Sequence, residues 1–425
     1  MKVCVVGGGS TYTPELIDGL LRRRTELDLD RIHLVDADAS RLAVLGPLAQ
    51  RMCTREGGGV QVDWTTDREV GLAGSRFVVS QIRVGGMAAR ERDEQLGRRF
   101  GLIGQETVGI GGFANALRTI PVALDIAADI ERVAPDATLL NFTNPAGLVT
   151  EALCRNGRVP TIGLCNVPWS VKAEVAAALR VDPAAVSFDY VGLNHLSWVR
   201  AVQVDGEDRT TEVLGRLRSA VGKRTSSDGE PSWTPDAIRV LGSIPNYYLL
   251  YYYETDAWLR HQAASPTRAS EVMAIEQALL DEYADPELDH KPAHLEKRGG
   301  AYYSEAAAAL MADLVRGDGA VHVVNVPNRG AIPGLPDDVV VEVSAVIGPN
   351  GPEPVAVPPL RADMDALIRL VKDFELLTVQ AAVDGDEEAA LRALVTNPLG
   401  PAMSNATEVW AALQEANAGW LGRLG

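Results

Sequence analysis

Cysteine is scarce in this chain of 425 residues, which contains only four. Cys4, Cys53, Cys154 and Cys165 are too few for the disulfide framework of a secreted protein of this length. The first residues also lack the basic segment and the cleavage site of a signal peptide. We therefore expect a reducing, cytoplasmic environment.

Long apolar runs and an excess of positive charge are absent as well. No stretch approaches 18 consecutive apolar residues, so the sequence predicts no transmembrane helix and no membrane partner. A formal net charge of -17 argues against nucleic acid as a partner and against a basic membrane-binding face. An anionic small molecule would therefore have to be bound by locally clustered arginines.

The length predicts two closely packed domains, which we place at residues 1–166 and 167–425. In the first domain, strand-like runs alternate with segments of helix length. This alternation predicts βαβ units and a doubly wound, Rossmann-type parallel sheet. The predicted strands are Lys2–Val6, Ile32–Val35, Phe77–Ile82, Thr138–Phe142 and Thr161–Leu164, with helices from near Pro14, from Ala39 and over Ala114–Val133.

The second domain is predicted to be α+β, because its strands and helices follow one another in groups. The segment Gly222–Pro235 is rich in Ser, Gly and Pro, and it predicts a loop. The predicted strands are Ser187–Tyr190, Ser197–Val204, Val321–Val326 and Val339–Val346, and the predicted helices are Pro266–Tyr283, Tyr302–Val315 and further helices to the C-terminus.

A glycine turn follows the first predicted strand. Gly7, Gly9 and Ser10 precede a helix, and the backbone N–H groups of such a turn can bind a pyrophosphate. Tyr12 stands where the third glycine of the usual pattern would be. Asp36 ends the second strand, where a carboxylate accepts ribose hydroxyls and repels a 2′-phosphate. Together these features favour NAD over NADP, with a plain glycine turn and a helix-capping aspartate as the alternative.

Polar residues also end the later strands. Asn144 lies in Asn141-Phe142-Thr143-Asn144-Pro145, Cys165 begins Cys165-Asn166-Val167-Pro168, and His195 follows another strand. The carboxyl ends of parallel strands open onto a ligand crevice. A thiolate and an imidazole are suitable ligands for a divalent metal, and two ligands leave positions open for substrate oxygens. A buried apolar cysteine and a core histidine are the alternative.

Half of the ten tyrosines lie within seven positions, between residues 247 and 253. An aromatic helix packed against the sheet accounts for most of them. A tyrosine beside a metal ion can also have its pKa lowered enough to act as a general base.

Taken together, these motifs resemble the family 4 glycoside hydrolases, and most closely the NAD- and divalent-metal-dependent 6-phospho-β-glucosidases. The resemblance runs through essentially the whole chain in the same order. It implies a fold like that of lactate and malate dehydrogenases. Besides the motifs above, it includes Gln105-Glu106-Thr107, Gly111-Gly112-Phe113, Asn194-His195 and the segment from Glu296 to Ser304.

The resemblance implies a role for each matching residue. Cys165 and His195 would hold Mn²⁺ or another divalent metal, and Tyr248 would be the catalytic base, with Tyr247 and Tyr251 as alternatives. Arginine suits phosphate because its guanidinium pairs bidentately with phosphate oxygens. The substrate would contact Arg90, Asn144, Asn166 and Arg268, and NAD would contact Gly7, Gly9, Ser10 and Asp36.

The implied reaction hydrolyses a phosphorylated glycoside without net redox change. NAD takes a hydride from C3 of the sugar, the metal polarises the new carbonyl, and Tyr248 removes the acidified C2 proton. The leaving group then departs from C1, water adds, and the hydride returns to C3. This family is an exception to two-carboxylate glycoside hydrolysis. Asn166 replaces the acidic aspartate of the α-specific branches, which favours β-linked substrates.

Three alternatives remain at this point. An NAD-dependent hydroxy-acid dehydrogenase shares the fold, but it would normally pair a histidine with a carboxylate. A glycosidase with the same mechanism can act on α-linked or unphosphorylated glycosides. A catalytically silent regulator that binds NAD or a sugar phosphate is the third. The expected partner is a small phosphorylated disaccharide or glycoside, and the resemblance implies a homodimer or homotetramer.

Overall fold

The computed structural model describes residues 1–57, 59–221, 229–298 and 303–424. Part of the predicted loop Gly222–Pro235 and part of the motif from Glu296 to Ser304 therefore lie outside the described residues. Within these ranges, no helix is both long enough and apolar enough to cross a bilayer.

A nine-stranded sheet lies at the centre of the fold. Its N-terminal strands are β1 (Lys2–Val6), β2 (Arg31–Val35), β3 (Gln61–Thr65), β4 (Phe77–Ser80), β5 (Thr138–Asn141) and β6 (Thr161–Gly163). They are parallel and run in the order β3-β2-β1-β4-β5-β6. The strand order reverses between β1 and β4, and ligands of such sheets bind beyond the carboxyl ends at that point. The predicted doubly wound sheet is confirmed.

The second half of the chain forms a small antiparallel sheet and also extends the large one. The small sheet contains β7 (Val186–Leu193), β8 (Leu196–Val204), β9 (Glu207–Asp208) and β10 (Ile244–Pro245). The large sheet is extended by β11 (Ala320–Pro327), β12 (Val340–Gly348) and β13 (Gly351–Pro354), which are antiparallel to their neighbours. Since both halves contribute to one sheet, the division at residue 166 stays a prediction.

Helices pack against the large sheet, and its inner parallel strands β1, β4, β5 and β6 are buried along most of their length rather than on alternate residues. Short 3₁₀ turns lie at Pro183–Ala185, Tyr247–Leu249, Ala293–Arg298, Met403–Asn405 and Gly422–Leu424. The helices are α1 (Thr13–Arg22), α2 (Ala39–Arg55), α3 (Arg68–Leu72), α4 (Gly86–Phe100), α5 (Gly109–Val133), α6 (Ala146–Asn156), α7 (Val167–Leu179), α8 (Thr210–Val221), α9 (Pro235–Leu241), α10 (Leu250–Tyr253), α11 (Thr255–Ala264), α12 (Arg268–Tyr283), α13 (Tyr303–Arg316), α14 (Ala362–Asp384), α15 (Glu387–Thr396) and α16 (Ala406–Ala416).

Two segments differ from the sequence-based expectation. The strand β3 was not predicted, because it lies at the edge of the sheet and buries only Val62 of its five residues. The tyrosine-rich segment is not one long helix. It consists of β10, a 3₁₀ turn and the single-turn helix α10. The side chain of Asn246 accepts a hydrogen bond from Tyr248 N at 3.0 Å and so begins a new turn after β10.

Candidate active site

The glycine turn after β1 has the close packing that a dinucleotide-binding turn needs. The N–H groups of Gly7 and Gly8 both donate to the Val35 carbonyl, at 2.8 and 2.9 Å. Gly7 has a φ of +91°, and a Cβ on it would lie 2.8 Å from the Gln81 carbonyl. A Cβ on Gly9 would lie 2.8 Å from Asp36 Oδ2. Glycine is therefore required at both positions, because a side chain would clash with the neighbouring strand end or with Asp36.

Asp36 lies directly after β2 and beside this turn. Its Oδ2 accepts from Gly9 N at 2.8 Å, and its Oδ1 accepts from Asp38 N at 2.9 Å. Ser10 accepts from Tyr12 N at 3.2 Å. These contacts hold the half-buried Asp36 carboxylate at the cavity wall, in the position from which it can accept hydrogen bonds from ribose hydroxyls.

One cavity of about 1520 Å³ connects the glycine turn with the second half of the chain. It is lined by every predicted site residue except Cys165. Seven arginines and seven Asp or Glu residues line it, so the wall is neutral although the chain carries a charge of -17. The arginines, which fit the expected local cluster, are Arg41, Arg68, Arg83, Arg90, Arg98, Arg268 and Arg298.

Cys165 and His195 are brought together although thirty residues separate them. Cys165 directly follows the loop residue after β6, and His195 lies in the two-residue turn between β7 and β8, with a φ of +65°. The sulfur of Cys165 lies 3.4 Å from His195 Nε2. Metal–ligand distances of roughly 2.0–2.3 Å place two donors of one ion roughly 3.0–3.6 Å apart, so the pair fits a shared divalent cation. Among the described residues there is no set of three or more His, Cys, Asp or Glu side chains that could hold a metal.

The protonation of this pair follows from its burial. Burial lowers the pKa of His195 to about 4, so its imidazole is neutral at pH 7. The Nδ1 atom lies 2.7 Å from Thr107 Oγ1, which leaves Nε2 directed to the thiol. Burial, and then the Glu342 carboxylate, raise the pKa of the Cys165 thiol well above its usual range. A cation at this pair would therefore release a proton from the thiol as it binds.

Tyr248 lies next to the pair. Its ring is stacked on the His195 ring with centroids 3.8 Å apart and parallel planes. Burial raises the pKa of Tyr248 well above the usual value of a phenol, and nearby negative groups raise it further. Of the alternatives, Tyr251 is buried beside Tyr248, with centroids 6.0 Å apart, and Tyr247 is 40% exposed. A cation at Cys165 and His195 would act most directly on Tyr248.

Asn144 and Asn166 lie at the carboxyl edge of the sheet, as predicted. The Oδ1 atom of Asn144 is buried without a hydrogen-bond partner within the described part of the protein. The peptide bond between Asn144 and Pro145 is cis, and the Asn144 carbonyl accepts from Asn115 Nδ2 at 3.1 Å. Asn166 is the residue before α7, and its Oδ1 lies 4.0 Å from Cys165 Sγ. A ligand hydroxyl can donate a hydrogen bond to a buried oxygen at a cavity wall.

The two predicted phosphate-binding arginines have different surroundings. Arg90 is buried between Glu94 and Glu106, at 2.7 and 2.8 Å, so its charge is already balanced. Arg268 begins α12, is about half exposed, and pairs with Glu271 at 2.9 Å. An exposed pair of this kind is weak, so Arg268 is the arginine that can more readily turn to an anionic ligand.

Glu106 is a site residue that sequence reasoning left without a role. It lies in the cavity wall, where it pairs with Arg83 as well as Arg90. Burial alone would raise the pKa of Glu106, but these two arginines outweigh burial and hold it at about 2. The carboxylate therefore stays ionised at neutral pH. The signal in the sequence was its position in Gln105-Glu106-Thr107, but its partners could not be identified from that motif.

We expect this ion pair to give a distinct pH dependence of stability. Because Glu106 has a pKa of about 2 in the fold and an ordinary value of 4.5, its stabilisation is complete above pH 4.5 and is lost as the pH falls towards 2. In the metal-free protein, Glu106→Gln should lower the free energy of unfolding at pH 7 by up to roughly 3 kcal/mol. Urea denaturation between pH 7 and pH 3.5 measures this, and the gap between variant and wild type should narrow below about pH 4.5. Glu207→Gln, at an exposed position in β9, is the control. A gap that stays constant with pH would contradict the assignment.

Glu342 was also missed. It is fully buried in β12 and accepts hydrogen bonds from Tyr190 Oη and Asn194 Nδ2, both at 2.9 Å, and from Asn325 Nδ2 at 3.1 Å. Asn194 precedes His195, so this carboxylate supports the turn that carries the histidine. The signal was a single acidic residue within an apolar strand, since a buried carboxylate needs partners.

The doubly wound sheet, the glycine turn and the strand-end carboxylate together define a dinucleotide-binding fold of the dehydrogenase type. The fold resembles that of malate dehydrogenase from Plasmodium falciparum, with a TM-score of 0.55 at 13% identity, covering 90% of this chain and 99% of that one. That likeness concerns the fold alone.

Matches to models of protein families identify the family of this chain. The model of family 4 glycosyl hydrolases matches residues 2–181, and the model of the family's C-terminal domain matches residues 190–400. The chain therefore belongs to family 4 of the glycosyl hydrolases, and the predicted family is confirmed.

Two proteins illustrate the similarity along the whole chain. A protein of Bacillus subtilis (strain 168) named as a probable 6-phospho-beta-glucosidase is 41% identical, over 99% of this chain and 97% of its own length. The 6-phospho-beta glucosidase of Thermotoga maritima, whose structure was determined with manganese, NAD⁺ and glucose-6-phosphate, has a TM-score of 0.90 at 33% identity. The match covers 99% of both chains.

Proposed function

We propose that this protein hydrolyses 6-phospho-β-glucosides with NAD and Mn²⁺, or another divalent cation, as cofactors. The observation that carries the proposal is the Cys165–His195 pair with Tyr248 stacked on its imidazole, in one cavity with the glycine turn. The names of the Bacillus and Thermotoga relatives, and the ligands of the Thermotoga structure, support the substrate and both cofactors.

When bound, NAD supplies a hydride acceptor for C3 of the sugar, and the cation is a Lewis acid that makes the neighbouring C2 proton acidic. The turn at Gly7, Gly9 and Ser10 would let the backbone approach the pyrophosphate closely, and Asp36 would accept from the adenosine ribose. Cys165 and His195 hold the cation. The neutral imidazole and the support that Glu342 gives to its turn keep the histidine ready as a ligand.

Tyr248 takes the C2 proton. Its pKa is high in the absence of a cation, so it becomes an effective base only when positive charge lies next to it. This couples base strength to occupancy of the Cys165–His195 pair. The aglycone then leaves C1 with the electrons of the C1–O bond and takes a proton from water, and the remaining hydroxide adds at C1 while Tyr248 returns its proton to C2.

The remaining residues hold the sugar. Asn144 offers its Oδ1, which has no partner among the described residues, to a sugar hydroxyl. Arg268 binds the phosphate, since its exposed ion pair with Glu271 is easily exchanged. Arg90 contributes as a buried member of a balanced network with Glu94 and Glu106. Asn166 contacts the sugar but cannot donate a proton as an acid would, which supports a preference for β-linked substrates.

The proposal is tested by aryl release from p-nitrophenyl β-glucoside 6-phosphate, with NAD⁺ and Mn²⁺ each present or omitted. We expect release that needs both, no net NADH, and a slower rate with deuterium at C2. Because NAD can co-purify, the protein is stripped of nucleotide first. Steady NADH production from a hydroxy acid, without release from any glycoside, would overturn the proposal in favour of a dehydrogenase.

The same assay covers the second candidate, a glycosidase of this mechanism with other substrates. The α-anomer and the unphosphorylated glycoside are run in parallel, and faster release from either would replace the proposed substrate. The cytoplasmic location, the homodimer or homotetramer, and the domain division at residue 166 stay predictions.

A further inference from the structure

A continuous set of aromatic rings extends outwards from the proposed base. The ring of Tyr248 meets Tyr247 edge to face and Tyr251 at a tilt, with centroids 6.0 Å apart in both pairs. Trp258, on α11, lies 4.4 Å from the Tyr251 centroid and 6.1 Å from that of Tyr247. All four line the cavity, and they are called the aromatic wall below.

Tyr247 is the exposed end of the aromatic wall. Its side chain is 40% accessible, whereas Tyr251 and Trp258 are 8% and 6% accessible. The Tyr247 hydroxyl donates to Glu230 Oε1 at 2.5 Å, which holds the ring in one orientation. A large aromatic side chain that is exposed, fixed and inside a cavity provides a surface on which a flat or ring-shaped ligand can stack.

Trp258 gives an independent reason to place a ligand here. Its Nε1 atom is buried and has no hydrogen-bond partner among the residues that the structure describes. An unpaired buried donor is costly, and because Trp258 lines the cavity, a ligand oxygen that reached Nε1 would satisfy it. The Glu230 carboxylate at the other end of the wall accepts hydrogen bonds and repels anions, so the ligand that suits both ends is neutral and carries hydroxyl groups.

The chemistry of the reaction relates this wall to one part of the substrate. Tyr248 removes the proton from C2, and the leaving group is bonded to the adjacent C1. The phosphate is carried on C6, which is attached to C5 on the far side of the sugar ring from C2. The part of the substrate that begins next to the base is therefore the aglycone, and the phosphorylated end is directed away from it.

Resting on the proposed function, we propose that Tyr247 and Trp258 form the aglycone subsite, with specificity for a neutral hydroxylated ring such as a second hexose. The ring stacks on Tyr247, one of its hydroxyls accepts from Trp258 Nε1, and Glu230 accepts from another. An anionic aglycone is excluded by the Glu230 charge.

The test compares three β-glucoside 6-phosphates that differ only in the aglycone: methyl, phenyl, and a second glucose linked through its O4. For Tyr247→Ala, kcat/KM should fall roughly five- to tenfold with phenyl and glucosyl aglycones, and less than twofold with methyl. For Trp258→Phe, the fall should be roughly three- to tenfold and confined to the glucosyl substrate. Tyr253→Ala is the matched control, because Tyr253 is 41% exposed in the same aromatic run but does not line the cavity.

The outcomes distinguish a failure of the aglycone subsite from a failure of the proposed function. An equal loss with all three aglycones would mean that Tyr247→Ala acts through Tyr248, and it would overturn the subsite. An unchanged kcat/KM for the glucosyl substrate in both variants would overturn it as well. Hydrogen exchange at C2 of the methyl glycoside in D₂O shows in each variant whether the base still functions. If the wild-type protein releases none of the three aglycones, the proposed function itself is wrong.

Discussion

Replacing Cys165 by serine is expected to weaken Mn²⁺ binding by at least about a hundredfold and to bring glycoside release down to background. Cys165 and His195, which the structure places together, are the two proposed protein ligands, and even the loss of outer-shell partners costs roughly 10- to 100-fold in metal affinity. A serine hydroxyl is a poor, neutral replacement for a thiolate. Mn²⁺ affinity is measured by titration calorimetry on stripped protein, in parallel with aryl release.

Cys154→Ser is the matched control for this variant. Cys154 is also a free cysteine, but it lies in α6 outside the cavity, and its thiol donates a hydrogen bond to the Thr161 carbonyl at 3.9 Å. We expect this control to bind Mn²⁺ like the wild type. If Cys165→Ser also kept wild-type Mn²⁺ affinity and activity, the cation would be held elsewhere. The proton released on Mn²⁺ binding gives a second readout. It should appear with the wild type, because burial keeps the thiol protonated in the metal-free protein, and it should vanish with serine.

Removing the hydroxyl of Tyr248 is expected to have an effect of similar size, but on chemistry rather than on binding. Tyr248→Phe should keep the ring stacked on His195 and removes only the hydroxyl group, which is the proposed acceptor of the C2 proton. General-base catalysis contributes roughly 10²–10⁴-fold, so kcat should fall by that factor while the affinity for glucose 6-phosphate changes little. Exchange of the C2 hydrogen in D₂O, followed by NMR, should be lost in parallel.

The neighbouring tyrosines provide the controls. Tyr253→Phe, in the same run but outside the cavity, should exchange the C2 hydrogen at the wild-type rate. Tyr251→Phe tests the buried alternative, whose ring lies 6.0 Å from that of Tyr248. Wild-type exchange in Tyr248→Phe, together with its loss in Tyr251→Phe, would transfer the role of base to Tyr251.

Much of the fold could be predicted because its signals are local. The strand β1 coincides with the predicted Lys2–Val6, and β5 and β6 begin at the predicted residues. Short β-branched runs bounded by turns depend on neighbours within a few residues, and so does the glycine turn with Asp36 one strand later. The strand β3 was not predicted, because an edge strand buries few residues and its hydrophobic pattern is weak.

The active site required the tertiary structure, since its parts are far apart in the chain. Cys165 follows a strand of the large sheet and His195 lies in a turn of the small one, and only the packing of the two sheets brings sulfur and nitrogen to 3.4 Å. The choice of Tyr248 over its neighbours depends on a turn that Asn246 begins and on stacking against His195.

The charges around the site also depend partly on the sequence and partly on the tertiary structure. The composition gives a net charge of -17. This charge implies only that any anion-binding site must contain arginines that are clustered locally. The partners of each arginine decide which of them remain available. Arg90 is neutralised by Glu94 and Glu106, whereas the one acidic partner of Arg268 among the described residues is the exposed Glu271. Local pattern therefore determined the family, the strands and the cofactor turn. The chemistry of the site was decided by long-range packing, because burial and partners set the charge and pKa of each group.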